Sequence, residues 1–326
     1  MIKLQSILFI LILSISTLAC VKIKAKSEKY VWQNIAAKSD YAISYNYPVF
    51  IVDGKMLALN DGGWFSTNGK NWTKTELPKS RLNSAYQKFV QFKGAVYALG
   101  EMDGNYLNFK LLSKIVRTKD GKTWETVAEK SNLPQRVFYG AVVFKDKIWI
   151  IGGFDGEKYY NDIWNSADGV NWNRISEKSG WSERIISKII VFKNRIWLIG
   201  GGVIDGEKEI NPNSASEIWS SADGTIWKKH QTNATNKIAG TPVVFDDKLW
   251  LIGANRNDGN FASAVLVSDD GENWQELSAL WTPRGGVAVW VFDNKLFMTG
   301  GKYSYNENSE IKFVYSNDVW AMRKTE

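Results

Sequence analysis

The stretch from Arg136 to Trp172 is a unit that the rest of the chain repeats, and no other feature constrains the fold as much. Its apolar run Ala141-Val142-Val143-Phe144 is followed by the polar turn Lys145-Asp146-Lys147 and a second run, Ile148 to Ile151, that stops at Gly152-Gly153. A loop from Phe154 to Tyr160 leads to Asn161-Asp162-Ile163-Trp164, and the unit closes on Ala167-Asp168-Gly169-Val170-Asn171-Trp172. Short apolar runs bounded by Gly, Asp and Asn indicate strands rather than helices. Four antiparallel strands in one unit make a blade, and copies set radially make a propeller.

Six copies align. The first strands end at Val52, Phe92, Phe144, Phe192, Phe245 and Phe292, and the second strands place Leu57, Tyr97, Trp149, Trp197, Trp250 and Phe297 in one column. The third strands align Trp64, Val116, Trp164, Trp219, Leu266 and Trp320; the fourth align Trp72, Trp124, Trp172, Trp227, Trp274 and, out of order, Trp32. The expected fold is all-β, a six-bladed β-propeller of four-stranded antiparallel blades over 30–326. The last unit stops one strand short after Ser316 to Ala321, while Tyr30 to Ile35 has no blade before it. The N-terminal strand is therefore expected to complete the last blade, which removes an open sheet edge. The aromatic columns read as core between neighbouring sheets and account for most of the 16 Trp residues.

The turn between third and fourth strands also repeats, as in Ser166-Ala167-Asp168-Gly169 and Ser221-Ala222-Asp223-Gly224, with a Trp three residues after the Gly. Asp-Gly supplies the positive φ that tight hairpins need, and the Ser or Thr can bond the turn amides. This turn resembles a shortened Asp-box of sialidase propellers, a structural device. Gly152-Gly153, Gly200-Gly201 and Gly300-Gly301 at the ends of second strands, with the downstream Trp, resemble the kelch repeat of the galactose-oxidase-like propeller superfamily. The resemblance runs from about Tyr30 to Met322. It is specific in blades 3, 4 and 6 and degenerate in blades 5, 2 and 1.

Residues 1–20 read as a targeting segment. Lys3 gives a positive start, and the apolar run Ile7 to Ile15 is too short for a comfortable membrane span. Ser16-Thr17-Leu18-Ala19-Cys20 resembles a bacterial lipobox, which implies lipidation of Cys20. Val21 rather than Asp after it implies sorting to the outer membrane, with lipid as the only membrane contact. An ordinary signal peptide with Cys20 incidental is the alternative. Residues 21–29 read as a tether. One Cys and one His leave no internal disulfide, no Cys/His zinc site and no blue-copper centre, so no metal or cofactor is expected. The net charge is +7, but Lys+Arg 41 are interspersed with Asp+Glu 34, which gives no reason to expect a nucleic-acid partner.

The kelch resemblance implies a ligand face built from the segments leading into the first strands and the connections between second and third strands. The lead-in position, eight residues before the aligned Val or Phe, reads Ser44, Ser84, Arg136, Arg184, Lys237 and Arg284. By resemblance these rim the central channel, where guanidinium groups would attract carboxylates bidentately. Alternatively each Arg bonds carbonyls of a neighbouring loop, and the two roles can coexist. The connections add Arg256 and the aromatics Tyr106, Phe154, Tyr159, Tyr160, Tyr303 and Tyr305. With Tyr139, Trp181 and Trp281 of the lead-in segments, these form a candidate sugar-stacking or peptide-binding surface, or else they pack the loops. His230 follows Trp227-Lys228-Lys229 on an outermost strand and reads as a surface residue, out of reach of a Ser-His-Asp arrangement.

Three functions fit. The first is an envelope-anchored binding propeller for an acidic glycan, a peptide or a protein partner. The second is a carbohydrate-active isomerase resembling sialate mutarotase. There Arg136, Arg184 and Arg284 would hold a carboxylate and Glu157, Glu207 or Glu209 would be the acid/base, although no motif maps catalytic residues onto this chain. A Glu within hydrogen-bond reach of the Arg cluster would favour it. The third is a structural subunit of an envelope complex. Galactose oxidase chemistry needs copper with His ligands and a Cys-modified Tyr, which this chain cannot assemble.

Overall fold

The computed structural model describes residues 29–60, 62–75, 87–105, 108–185, 188–202, 217–234, 240–255, 261–308 and 310–325. Cys20, the targeting segment and most of the tether lie outside the described residues, as do Tyr106, Glu207, Glu209, Lys237 and Arg256.

Six four-stranded antiparallel sheets form the blades. Blade 1 comprises Val49–Val52, Lys55–Leu59, Gly63–Ser66 and Thr73–Thr75, and blade 2 comprises Lys88–Phe92, Ala95–Asn105, Asn108–Thr118 and Trp124–Ala128. Blade 3 comprises Gly140–Phe144, Lys147–Phe154, Tyr159–Ser166 and Asn173–Ser176; blade 4 comprises Ile189–Phe192, Arg195–Ile199, Ile218–Ser221 and Lys228–His230. Blade 5 comprises Thr241–Phe245, Lys248–Asn255, Phe261–Ser268 and Trp274–Leu277. Blade 6 takes Ala288–Phe292, Lys295–Thr299 and Val319–Lys324, and its outermost strand is the N-terminal Tyr30–Ala36, with Asn34 opposite Trp320.

The hairpin chemistry repeats around the ring. Every turn between first and second strands has two consecutive residues with φ between 47° and 74°, from Asp53-Gly54 to Asp293-Asn294. That is the type I′ signature, whose twist matches the flanking strands. The turns between third and fourth strands are equally regular. In blade 3 the Ser166 Oγ accepts the Gly169 N–H at 2.8 Å, and Asp168 Oδ1 accepts the N–H groups of Val170 and Asn171, each at 2.8 Å.

Neighbouring blades meet at these same turns. A Cβ on Gly169 of blade 3 would lie 2.8 Å from the Tyr97 ring of blade 2, and one on Gly271 of blade 5 would lie 2.6 Å from the Trp197 ring of blade 4. The turn glycine is thus needed for its left-handed backbone and also for the aromatic of the preceding blade that lies against it. At the ring closure there is no such turn; the Tyr30 ring sits edge-on over Trp250 at 4.9 Å instead. The second-strand column is buried throughout, and its indoles bond backward: Trp149, Trp197 and Trp250 donate to the carbonyls of Phe144, Phe192 and Phe245 at 2.9–3.0 Å.

The structure departs from the sequence reading at the glycine where the second strand is expected to end. In blades 2, 3 and 5 the second strand does not stop there. It slips register at Gly100, Gly152 and Gly253, which have φ of 68°, 62° and 66°, and runs on. A single left-handed glycine absorbs the extra residue of a β-bulge and lets pairing resume. Segments expected as loops are therefore strand ribbons beyond the blade, with Phe154 opposite Tyr159 and Met102 opposite Leu111. Blade 6 has a separate two-stranded ribbon, Lys302–Glu307 paired with Glu310–Tyr315, where the sequence suggests a loop around Tyr303 and Tyr305.

Candidate ligand site at the channel mouth

The lead-in arginines form no open cluster. Arg136, Arg184 and Arg284 are all buried, and each pairs with an acid two residues before a third-strand Trp. Arg136 binds Asp162 bidentately at 2.6 and 3.1 Å and also donates to the Gly152 carbonyl, while the Trp164 indole donates to Asp162 at 2.7 Å. Arg284 pairs with Asp318, which accepts from the Trp320 indole at 2.8 Å. Arg184 binds Glu217 at 2.7 Å, and Lys229 donates to the other oxygen at 2.6 Å. Burial pushes the Glu217 carboxyl up, but the bonds from Lys229 and Arg184 outweigh it and hold the group below its ordinary value. A Glu does lie within reach of an arginine here, yet it is consumed in a part-buried cluster with Arg184 and Lys229, where its charge is already neutralised. The sequence carries this pattern as Asp162-x-Trp164, Glu217-x-Trp219 and Asp318-x-Trp320, in the same three blades that have both the Arg and the Gly-Gly pair.

Three of the candidate aromatics are core. Tyr139 is buried and donates to the Leu99 carbonyl at 2.8 Å. Trp181 packs on Trp219 and Trp227, and Trp281 on Trp32 and Trp320, with centroids 4.8–5.8 Å apart. The two tryptophans fill the gaps between third- and fourth-strand tryptophans, and none of the three buried rings can stack on a ligand. Tyr159 and Tyr160 are half-buried on the blade 3 ribbon. Tyr159 lies against Phe154 at 4.8 Å, and Tyr160 covers the Arg136 guanidinium at 4.2 Å. Tyr160 donates its hydroxyl to Asp155; burial and that bond push it up to about 12. Tyr303 is half-buried in the blade 6 ribbon.

His230 is likewise not a surface residue: only 8% of it is exposed. Its ring stacks on Trp197 at 4.9 Å and contacts Ser220 and Glu272, each at 2.7 Å. This has the connectivity of a Ser-His-acid triad, but Ser220 is 0% exposed in the middle of a strand, so no substrate carbonyl can approach its hydroxyl.

The residues that do converge lie one step further along the lead-in segments. Four residues before the aligned Val or Phe, the six blades place Pro48, Lys88, Gly140, Lys188, Thr241 and Ala288, each at or just before the start of an innermost strand. All but Gly140 line a cavity of about 660 Å³ at the centre of the ring, to which every blade contributes. Among its described lining residues are three lysines, Lys88, Lys188 and Lys302, and no Asp or Glu. Lys88 and Lys188 come from blades 2 and 4, on either side of blade 3. Neither ammonium has a carboxylate partner among the described residues, and burial alone pushes both down, Lys188 to about 8. Gln87 donates to the Gly100 carbonyl at 2.6 Å beside them.

Phe138, on the blade 3 side of this cavity, has φ 56°, which bulky residues rarely adopt. Asn46 and Gly286, at the matching positions of blades 1 and 6, have φ 57° and 66°. In these three blades the lead-in segment therefore takes a left-handed residue two positions after the Ser or Arg. In blade 3 a phenyl ring is accepted there, against the cavity, where Asn or Gly would relieve the strain.

Residues 135–165 match the family model of the Kelch motif. The solved structure of YjhT superimposes with a TM-score of 0.64 at 12% identity, covering 87% of this chain and 96% of that one. At that identity the likeness speaks for the fold. No curated protein matches the sequence.

Proposed function

We propose that this six-bladed, kelch-type propeller is a binding module that takes an acidic ligand at the mouth of its central channel, and that the lipid on Cys20 holds it in the cell envelope. The observation that carries the reading is the cavity itself: six blades supply its wall, three lysines face it, and no described lining residue is acidic. A cation in such a wall lacks a counter-charge and is partly desolvated, so an incoming carboxylate gains the pairing that the fold has not supplied. The acidic ligand expected from the sequence keeps its place, but the cations assigned to it change from buried arginines to channel lysines. Binding is preferred over sugar isomerisation because the described wall offers no carboxylate to move a proton.

The test is a calorimetric titration of the purified protein with glucuronate, with neutral glucose as the control. Saturable binding of the acid alone, weakened at least tenfold in Lys88→Met/Lys188→Met, supports the reading. Because Lys188 loses its charge around pH 8, affinity is expected to fall as pH rises through that value. Equal binding of acid and neutral sugar, or an unaffected double variant, would sink it. The anchor is tested separately, by whether Cys20→Ala moves the protein from the membrane fraction to the soluble one.

A further inference from the structure

The blade 6 ribbon belongs to none of the six sheets, and a two-stranded hairpin is marginal by itself. Its two faces differ. Opposite residues share a face, so Lys302, Ser304 and Asn306 lie with Tyr315 and Phe313, while Tyr303, Tyr305 and Glu307 lie with Val314, Lys312 and Glu310. The second face pairs its one cation with a carboxylate, Lys312 with Glu310 at 2.5 Å. The first face does not. The Lys302 ammonium sits 4.3 Å from the Tyr45 ring centroid and 4.8 Å from that of Phe313, and Tyr45 packs on Tyr315 at 5.7 Å. Tyr45 and Lys302 both line the channel cavity, so this face borders the mouth. Phe313 remains 51% exposed beside a cation that has no carboxylate partner among the described residues.

We propose that this face is a ring-stacking subsite of the channel mouth, and that the ligand is a cyclic carboxylate of the acidic-pyranose class: its ring lies on Phe313 and its carboxylate turns to the lysines of the mouth, Lys302, Lys88 and Lys188. The inference rests on the mouth being an acidic-ligand site. An exposed phenyl next to a ring-held ammonium suits a ligand with an apolar ring face and one negative edge. An open-chain acid of the same charge can use the lysines but gains nothing from the ring. A free sugar acid and the acidic end of a glycan share this chemistry.

Glucuronate and gluconate separate the two contributions, since both are six-carbon monocarboxylates and only the first is cyclic. Each is titrated into the full protein, its Phe313→Ala and Phe313→Trp variants, and Lys88→Met/Lys188→Met. Phe313 lies on a surface ribbon, and circular dichroism checks that each variant is folded. The expected result is that Phe313→Ala weakens glucuronate by about fivefold to tenfold and leaves gluconate within about twofold, while Phe313→Trp keeps glucuronate affinity. If Phe313→Ala changes neither acid, or both equally, the stacking subsite is overturned while the lysine result stands for the mouth. If the unmodified protein binds neither acid, both are overturned. A glucuronate-terminated oligosaccharide in the same titration tells the two sources apart: tighter binding than the monosaccharide assigns the glycan end, and equal binding the free acid.

Discussion

Glu272 Oε1 lies 2.7 Å from His230 Nδ1 and joins a turn of blade 5 to the outermost strand of blade 4. On the other side of the imidazole, Nε2 is 2.7 Å from Ser220 Oγ, which accepts the Nε–H of Arg195 at 3.0 Å. Arginine can only donate, so the Ser220 proton is free to go to His230 Nε2, and the Nδ1–H goes to Glu272. Every proton is placed when the imidazole is neutral, and a second ring proton would meet the Ser220 hydroxyl head-on. Burial against Trp197 pushes the pKa down, Glu272 opposes this without overcoming it, and Lys228 and Arg195 add to the lowering.

That arrangement has a consequence for stability against pH. The histidine titrates near 6.5 when unfolded and lower when folded. Between those two values the unfolded chain binds more protons, so stability rises with pH. The contribution is fully present above about 6.5 and is lost as pH falls below it. The urea midpoint should drop between pH 7 and pH 5, and His230→Gln should flatten that slope. A wild-type midpoint that does not move in this window would disprove the neutral-histidine junction.

The lead-in arginines should behave as stability residues. Arg136→Met leaves Asp162 buried with only the Trp164 indole to satisfy it, a loss expected to cost about 3–5 kcal/mol. Arg184→Met should cost less, because Glu217 keeps Lys229 at 2.6 Å and is partly exposed. The double substitution Arg136→Met/Asp162→Leu removes both charges and should recover most of the loss. Denaturant titrations of the three variants decide this. An Arg136→Met protein of unchanged midpoint would make the arginine a free ligand-binding group again.

What the sequence made legible follows from what repeats. Column-by-column alignment finds six blades because Trp149, Trp197 and Trp250 hold one position, each with its indole bonded to the carbonyl of the Phe that ends the first strand, and the closing role of Trp32 follows from a blade one strand short. Partner choice is harder to see. Arg136 stands 26 residues from Asp162, and only the joint presence of Arg, Gly-Gly and acid-x-Trp in blades 3, 4 and 6 signals that the charge is already matched. Lys88 and Lys188 share an alignment column, but two of six positions look like noise until the ring shows that they line one cavity. The ribbon at 302–315 carries no repeat at all, and His230 reads as exposed because its neighbours Lys228 and Lys229 hide an inward-facing ring.

The turn acids should resist protonation and tolerate amide replacement. Burial raises the Asp168 carboxyl, but bonds from the Asn171 backbone and side chain and from the Val170 backbone bring it down to about 2. A depressed carboxylate contributes stability above its unfolded value near 4 and loses it as pH falls toward 2. Asn68 makes the same two backbone bonds in blade 1, each at 2.9 Å. Asp168→Asn should therefore cost less than about 0.5 kcal/mol at pH 7 and lessen acid sensitivity between pH 4 and 2. Asp168→Ala, which loses both acceptors, should cost about 1–2 kcal/mol. Equal losses in the two variants would show that the charge, not the acceptor geometry, holds the turn.

Two glycines with positive φ separate backbone strain from close packing. Gly54, at φ 68°, has nothing within 4 Å of the position a Cβ would take, so Gly54→Ala carries only the left-handed penalty, about 1–2 kcal/mol. Gly153, at φ 107°, would place a Cβ 2.8 Å from the Val137 carbonyl oxygen and 2.9 Å from Tyr139 Cβ. That carbonyl accepts the Phe154 N–H at 2.9 Å, in the bridge that ties the lead-in segment to the blade 3 ribbon. Gly153→Ala must push this bridge apart, and the neighbouring Phe138 lines the cavity. It should lose more stability than Gly54→Ala and also weaken glucuronate binding, whereas Gly54→Ala should leave binding unchanged. Thermal midpoints and the same calorimetric titration measure both, and a Gly153→Ala protein that is destabilised but binds normally would uncouple the lead-in bridge from the channel mouth.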